Sequence, residues 1–265
     1  MNRIDNLFKS FKKDKKTAFI PFISIGDPDI KMSFEIVKAL INNGADIIEL
    51  GFPFSDPMAD GKVIQRSYQR ALKNHVSMRD AFDFIKKIRK VSDIPVIFFT
   101  YYNPVFFYGA SRFAKDAQNT GIDGILTVDL PPEESDELKE FADREGIDQI
   151  FLLAPTSDAG RIKHILSYAK GFVYYVSVTG VTGARSVLPR QLQEKVKEIK
   201  KIKDIPVGIG FGISSNKQAK EISAYADAVI IGSKIIQFIE NNLNDKNKIL
   251  KDIAEFSSDI KSSLL

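Results

Sequence analysis

Along the chain, short apolar runs alternate with longer stretches of helical period. Eight runs read as strands: Ala18–Ile25, Ile47–Gly51, Val96–Tyr101, Gly124–Val128, Gln149–Leu153, Phe172–Val178, Val207–Gly210 and Ala228–Gly232. They are apolar on both faces, as parallel strands are when buried between a core and covering helices. The intervening lengths suit right-handed crossover helices. Ile4, Leu7, Phe8 and Phe11 recur at helical spacing and predict an extra N-terminal amphipathic helix over residues 2–13. The expected fold is α/β, a single (β/α)8 TIM barrel occupying residues 1–265 as one domain. A doubly wound open sheet would alternate in a similar way, so the pattern leans toward the barrel without excluding the alternative.

Internal echoes support the repeated unit. Asn43-Gly44-Ala45-Asp46, Thr120-Gly121-Ile122-Asp123 and Glu145-Gly146-Ile147-Asp148 each precede a strand, with the glycine suited to a left-handed helix cap. Asp93-Ile94-Pro95-Val96 and Asp204-Ile205-Pro206-Val207 place a proline at the entrance to a strand, where its missing N–H does least harm.

Composition narrows the partners. A chain of 265 residues with 44% hydrophobic and 27% charged residues can bury a large core. The net charge of +4 is carried by the first sixteen positions, where Arg3 and five lysines face Asp5 and Asp14. A terminal charge run of this kind reads as a solvated face, so neither nucleic acid nor membrane is implied. The absence of cysteine removes disulfides, thiolate nucleophiles and cysteine-based zinc sites, and fits a cytoplasmic protein. No apolar run approaches the roughly 18 residues of a membrane span, and the N-terminus lacks a signal-peptide core.

Elimination then directs the chemistry. The two histidines, His75 and His164, fall in a loop or helix and read as surface or packing residues, and no cluster has metal-ligand spacing. Acid–base work is left to carboxylates, lysine or tyrosine. Among the expected strands only Glu49 carries charge, with Asp129 just beyond the fourth. A glutamate near the C-terminal end of a barrel strand is costly to bury unpaired, and an apolar setting raises its pKa toward neutrality, where one group can accept and donate a proton. A satisfied core acid is the competing reading. The loop Phe52–Gly61 follows, with Asp56 and Asp60, either of which also suits a cap on the helix near Val63. The last three strands end in Gly180-Val181-Thr182-Gly183, Gly208-Ile209-Gly210-Phe211-Gly212 and Gly232-Ser233. Such turns serve as tight connections or, before a helix N-terminus, as an anion cradle.

The segments Pro21–Pro28, Glu49–Gly61, Asp129–Ser135 and Gly180–Gly183 resemble signature segments of the tryptophan synthase α subunit family, a likeness covering about nine-tenths of the chain. The resemblance implies a carbon–carbon lyase that cleaves indole-3-glycerol phosphate to indole and glyceraldehyde 3-phosphate. It implies Glu49 as the proton-transfer group and Asp60, rather than Asp56, as the partner of the indole N–H. Phe22, Tyr174 and Phe211 would line the pocket, Gly183, Gly212, Gly232 and Ser233 would hold the phosphate, and Thr182 would close over the site onto Asp60. No cofactor is implied in this chain. A pyridoxal-phosphate β subunit is the implied partner in an α2β2 complex, with Asp129 and the Asn103-Pro104 turn as contact candidates. Thr100 and Tyr102 depart from the expected apolar or smaller residues. A stand-alone indole-releasing lyase or another sugar-phosphate barrel enzyme are the alternatives.

Overall fold

The computed structural model describes residues 2–176, 189–210 and 212–264. Its strands are β1 (Ala18–Ser24), β2 (Ile48–Gly51), β3 (Val96–Thr100), β4 (Gly124–Thr127), β5 (Asp148–Gln149), β6 (Phe151–Leu153), β7 (Val173–Val176), β8 (Val207–Gly210) and β9 (Ala228–Ile231). All pair in parallel, in the order β5-β4-β3-β2-β1-β9-β8-β7-β6. β5 and β6 are halves of one strand parted at Ile150, whose N–H still bonds Ile125 O at 2.9 Å. That strand pairs with β4 through its first half and with β7 through its second, so the sheet closes as an eight-stranded barrel. An open sheet is thereby ruled out.

Every residue of β1 to β4 is buried, which explains why these strands read as continuous apolar runs instead of alternating ones. Gly44, Gly121 and Gly146 adopt φ of 102°, 88° and 70°, as their place before strands predicted. The expected strand ends at Tyr101 and Gly232 leave the ladder because both residues cap helices, Tyr102–Tyr108 and Ser233–Asn241. At the opposite end the strand reading is corrected: Asp148, set outside the fifth strand by the sequence reading, begins it and is buried.

The N-terminal helix, Arg3–Asp14, is set by a reciprocal cap between Asn2 and Asp5. It covers the N-terminal end of the barrel: Ile4 is fully buried, Phe8 packs 5.6 Å from Phe172 ring to ring, and Asn2 donates to Asp123 O at β4. The C-terminal end carries the loops that follow the strands. There the Lys62–Lys73 and Ser233–Asn241 helices are tied together by Arg66 and Arg70, both of which donate to Glu240. Arg70 also reaches the fully buried Asp27 in the loop after β1.

Candidate active site

The C-terminal ends of β1, β2, β3, β7 and β9 converge on one cavity of about 410 Å³. β1 contributes Phe22, β2 Glu49, β3 Phe99 and β7 Tyr174, while Asp60 enters from the loop after β2. Strand register brings part of the group together: Phe22 pairs with Glu49, and Phe99, opposite Gly51, lies two positions beyond Glu49's partner Ile97 and so on the same face. Phe22 and Phe99 meet edge to face with centroids 5.3 Å apart, forming an aromatic wall. Tyr174 can lie where it does because residue 210 is glycine: a β-carbon there would come within 2.2 Å of the Tyr174 hydroxyl. On the far side Gly212, Gly232 and Ser233 line the same space, with Ser233 opening a nine-residue helix.

The two carboxyls are shifted by their surroundings. Glu49 is 1% exposed, and its Oε1 has no hydrogen-bond partner among the described residues. Burial, followed by the neighbouring Asp60 charge, pushes its pKa up to about 8. Asp60 is 4% exposed; burial raises it and the Tyr101 hydrogen bond opposes the rise, leaving it at about 6. The Tyr101 hydroxyl donates to Asp60 Oδ2 at 2.7 Å and accepts the Ala59 N–H at 3.0 Å. Its ring stacks on Phe54 at 5.0 Å. One side chain from the end of β3 therefore fixes the loop that carries Asp60 at three points. Near pH 7 the pair stands as a protonated glutamic acid beside an ionised aspartate, in a cavity whose lining joins Phe22, Phe99 and Tyr174 with Ser214, Ser233, Lys234 and Gln237. The arrangement suits proton transfer to an aromatic substrate that develops positive charge.

A profile described as "Tryptophan synthase alpha chain" matches residues 8–264. The chain belongs to the tryptophan synthase alpha chain family. It is 44% identical over 264 residues to the tryptophan synthase alpha chain of Geobacter sulfurreducens, covering 100% of this chain and 99% of that one. It is 45% identical to that of a Thermoanaerobacter strain, over 100% of both chains. The structure superposes on tryptophan synthase subunit alpha from Legionella pneumophila with a TM-score of 0.92 at 34% identity, covering 100% and 98% of the two chains. The M. tuberculosis tryptophan synthase structure in its open form, with BRD0059 bound, matches with a TM-score of 0.89 at 32% identity, over 100% and 99%.

Against this alpha-chain background, Glu49, Asp60, Phe22, Tyr174, Gly212, Gly232 and Ser233 are brought to one cavity. Thr182, Gly183 and Phe211 lie outside the described residues. Asp56 is exposed and takes a hydrogen bond from the Ser55 hydroxyl, away from the cavity. Neither aspartate caps the helix near Val63, since Gly61 stands at its N-cap without a side-chain bond, which overturns the capping alternative. His75 is exposed, and His164 lies 3.8 Å from Glu133, so neither reaches the site. Tyr102, noted as a departure, does not line the cavity and donates its N–H to Asp129, whereas its neighbour Tyr101 bonds Asp60 from behind the wall. Sequence reasoning missed Tyr101, Phe99, Ile64 and Lys234. The first two carried a usable signal, being aromatic at the C-terminal end of a barrel strand.

Proposed function

We propose that this alpha chain cleaves indole-3-glycerol phosphate by a retro-aldol reaction in which Glu49 carries the proton and Asp60 steadies the indole nitrogen. The observation that carries this reading is the pair of buried carboxyls with separated pKa values on one cavity wall. Protonated Glu49 gives its proton to indole C3, and the ring nitrogen takes on positive charge that the Asp60 carboxylate stabilises. The C3–Cα bond then breaks, its electrons return to the ring, and the glycerol-chain hydroxyl becomes the aldehyde as its proton passes to Glu49. Indole and glyceraldehyde 3-phosphate leave, and Glu49 is again protonated. Phe22, Phe99 and Tyr174 would hold the ring and chain, and Gly212, Gly232 and Ser233 the phosphate. The parts assigned to Gly183, Phe211 and a closing Thr182 rest on the family resemblance.

This reading extends to the partner. Met58, Phe106 and Phe107 are 84%, 64% and 89% exposed, on the segments that follow β2 and β3 beside Asn103-Pro104. Asp129 is exposed nearby, accepting the Tyr102 N–H at 2.7 Å. Apolar side chains left this open fit a docking face for a β subunit that receives indole and carries pyridoxal phosphate in an α2β2 complex, with this chain acting as one cytoplasmic barrel domain free of its own cofactor.

Two measurements test the reading. Indole release from indole-3-glycerol phosphate by purified protein, with and without a β subunit, should follow a bell-shaped kcat/KM profile between about pH 6 and 8. The acid limb reports Asp60 losing its charge and the basic limb Glu49 losing its proton; an inactive protein or a flat profile across that range would sink the assignment. Tyr101→Phe removes the bond that lowers the Asp60 pKa. It should cut kcat/KM by about tenfold, the scale of one charge-assisted hydrogen bond, and move the acid limb to higher pH. An unmoved acid limb would mean that Tyr101 acts on packing alone.

A further inference from the structure

Among the described residues, the cavity that holds Glu49 and Asp60 has one cationic side chain on its wall, Lys234. It is the second residue of the Ser233–Asn241 helix and directly follows the serine expected at the phosphate. Two other cations touch this helix, but Arg66 and Arg70 are committed to Glu240 near its far end. Lys234 instead rests its ammonium 4.7 Å from the centroid of the Phe238 ring, one turn further along the helix. That contact parks the stem against the helix without using up the three N–H donors of the ammonium.

The charge balance of the cavity gives this lysine a task. A phosphate monoester brings nearly two negative charges at neutral pH. It would enter a space whose walls already carry the Asp60 carboxylate and the Glu49 carboxyl. A helix N-terminus offers roughly half a positive charge, well short of neutralising a dianion beside a carboxylate. A side-chain cation at the same helix start supplies the remainder, and a phosphate attracts it more strongly than a phenyl face does. Gln237, one turn on, lines the cavity as a neutral donor and cannot substitute for the charge.

We propose that Lys234 is a phosphate-holding residue of this site, its ammonium leaving the Phe238 ring to donate to the phosphate of the bound substrate beside Ser233. The inference rests on the lyase reading for the identity of the substrate and on the phosphate group alone for its chemistry. The test uses glycerol 3-phosphate as a probe, titrated calorimetrically into the full chain, alongside indole-release kinetics. Lys234→Met keeps the apolar stem on Phe238 and removes only the charge. It should weaken probe binding about tenfold and flatten its dependence on ionic strength, while Lys234→Arg binds within about threefold of wild type. In turnover the loss should fall on KM rather than on kcat. Equal binding of the probe by wild type and Lys234→Met, or no binding by wild type, overturns the assignment. Wild-type protein that binds the probe through Lys234 yet releases no indole would discard the lyase reading and leave the phosphate residue standing.

Discussion

Glu49→Gln should lower kcat for indole release by about 10³- to 10⁴-fold, near the upper end of what a positioned acid–base group supplies. The expectation is large because, of the described acid groups on the cavity wall, neither Asp60 nor Tyr174 suits the transfer. Asp60 is held in place by Tyr101 and tuned to about 6, too low to serve as the acid near neutrality. Tyr174 is pushed well above its ordinary pKa by burial, with Glu49 and Asp60 adding to the rise, and does not ionise in the working range. The same substitution should stabilise the fold. Glu49 has a raised folded pKa, so the acid form is favoured in the native state, and stability is lost as pH climbs from the unfolded value of 4.5 toward about 8. At pH 7 that loss is about 3 kcal/mol, and a glutamine, neutral throughout, escapes it. Guanidinium denaturation should therefore show the two proteins alike near pH 4.5 and the variant ahead at pH 7, with a gap that widens as pH rises. A gap that stays constant with pH would show that Glu49 is not held as an acid by burial. Activity and stability pull in opposite directions at this residue, as they do where a site keeps a costly group for its chemistry.

Glu49 was legible in the sequence for the reason that makes it costly: it is a lone charge inside an apolar strand, and a charge there stands out against any period. The eight-strand count and the N-terminal helix were legible too, because periodicity survives wherever burial is uniform. What the chain did not disclose was which loop residue meets which strand. Asp56 and Asp60 differ little in local context, and the resemblance, not periodicity, favoured Asp60; the structure separates them because Tyr101 reaches across from β3 to the second and leaves the first in solvent. A bond spanning 41 positions leaves no trace in local composition. Asp148 was misplaced by the opposite route. It sits at the polar entrance of a strand, where an aspartate after Gly146 reads as part of a turn, yet the helix Arg3–Asp14 and its cap bury it from outside. Lys234 was hidden because lysines are common in this chain and only the closing of the barrel turns one of them toward the cavity.

Arg70 governs the second large effect, one of stability. Its guanidinium grips Asp27 in a two-pronged pair, Nε to Oδ1 at 2.7 Å and Nη2 to Oδ2 at 2.8 Å, and its remaining nitrogen donates to Glu240 at 3.1 Å. The Asp27 side chain is 0% exposed and that of Arg70 17%, so solvent gives the aspartate no replacement partner. Burial already raises the Asp27 pKa, with Arg70 the main force opposing the rise. Arg70→Met leaves that carboxylate buried and unpaired and should cost about 3–5 kcal/mol, a large share of the 5–15 kcal/mol typical of a folded domain. Arg70→Lys should recover only part of it, because a single ammonium cannot reproduce the fork. Adding Asp27→Asn to Arg70→Met should return much of the loss by removing the charge that was stranded. The pH dependence follows in sign. With Arg70 gone, the folded pKa of Asp27 rises further, so the penalty is full where the carboxylate would be ionised and shrinks as pH falls toward the ordinary aspartate range of about 4. Denaturant titrations of the single and double variants across that range decide the matter. A loss below about 1 kcal/mol, or one unchanged by pH, would show that the three segments this arginine joins are held by packing instead.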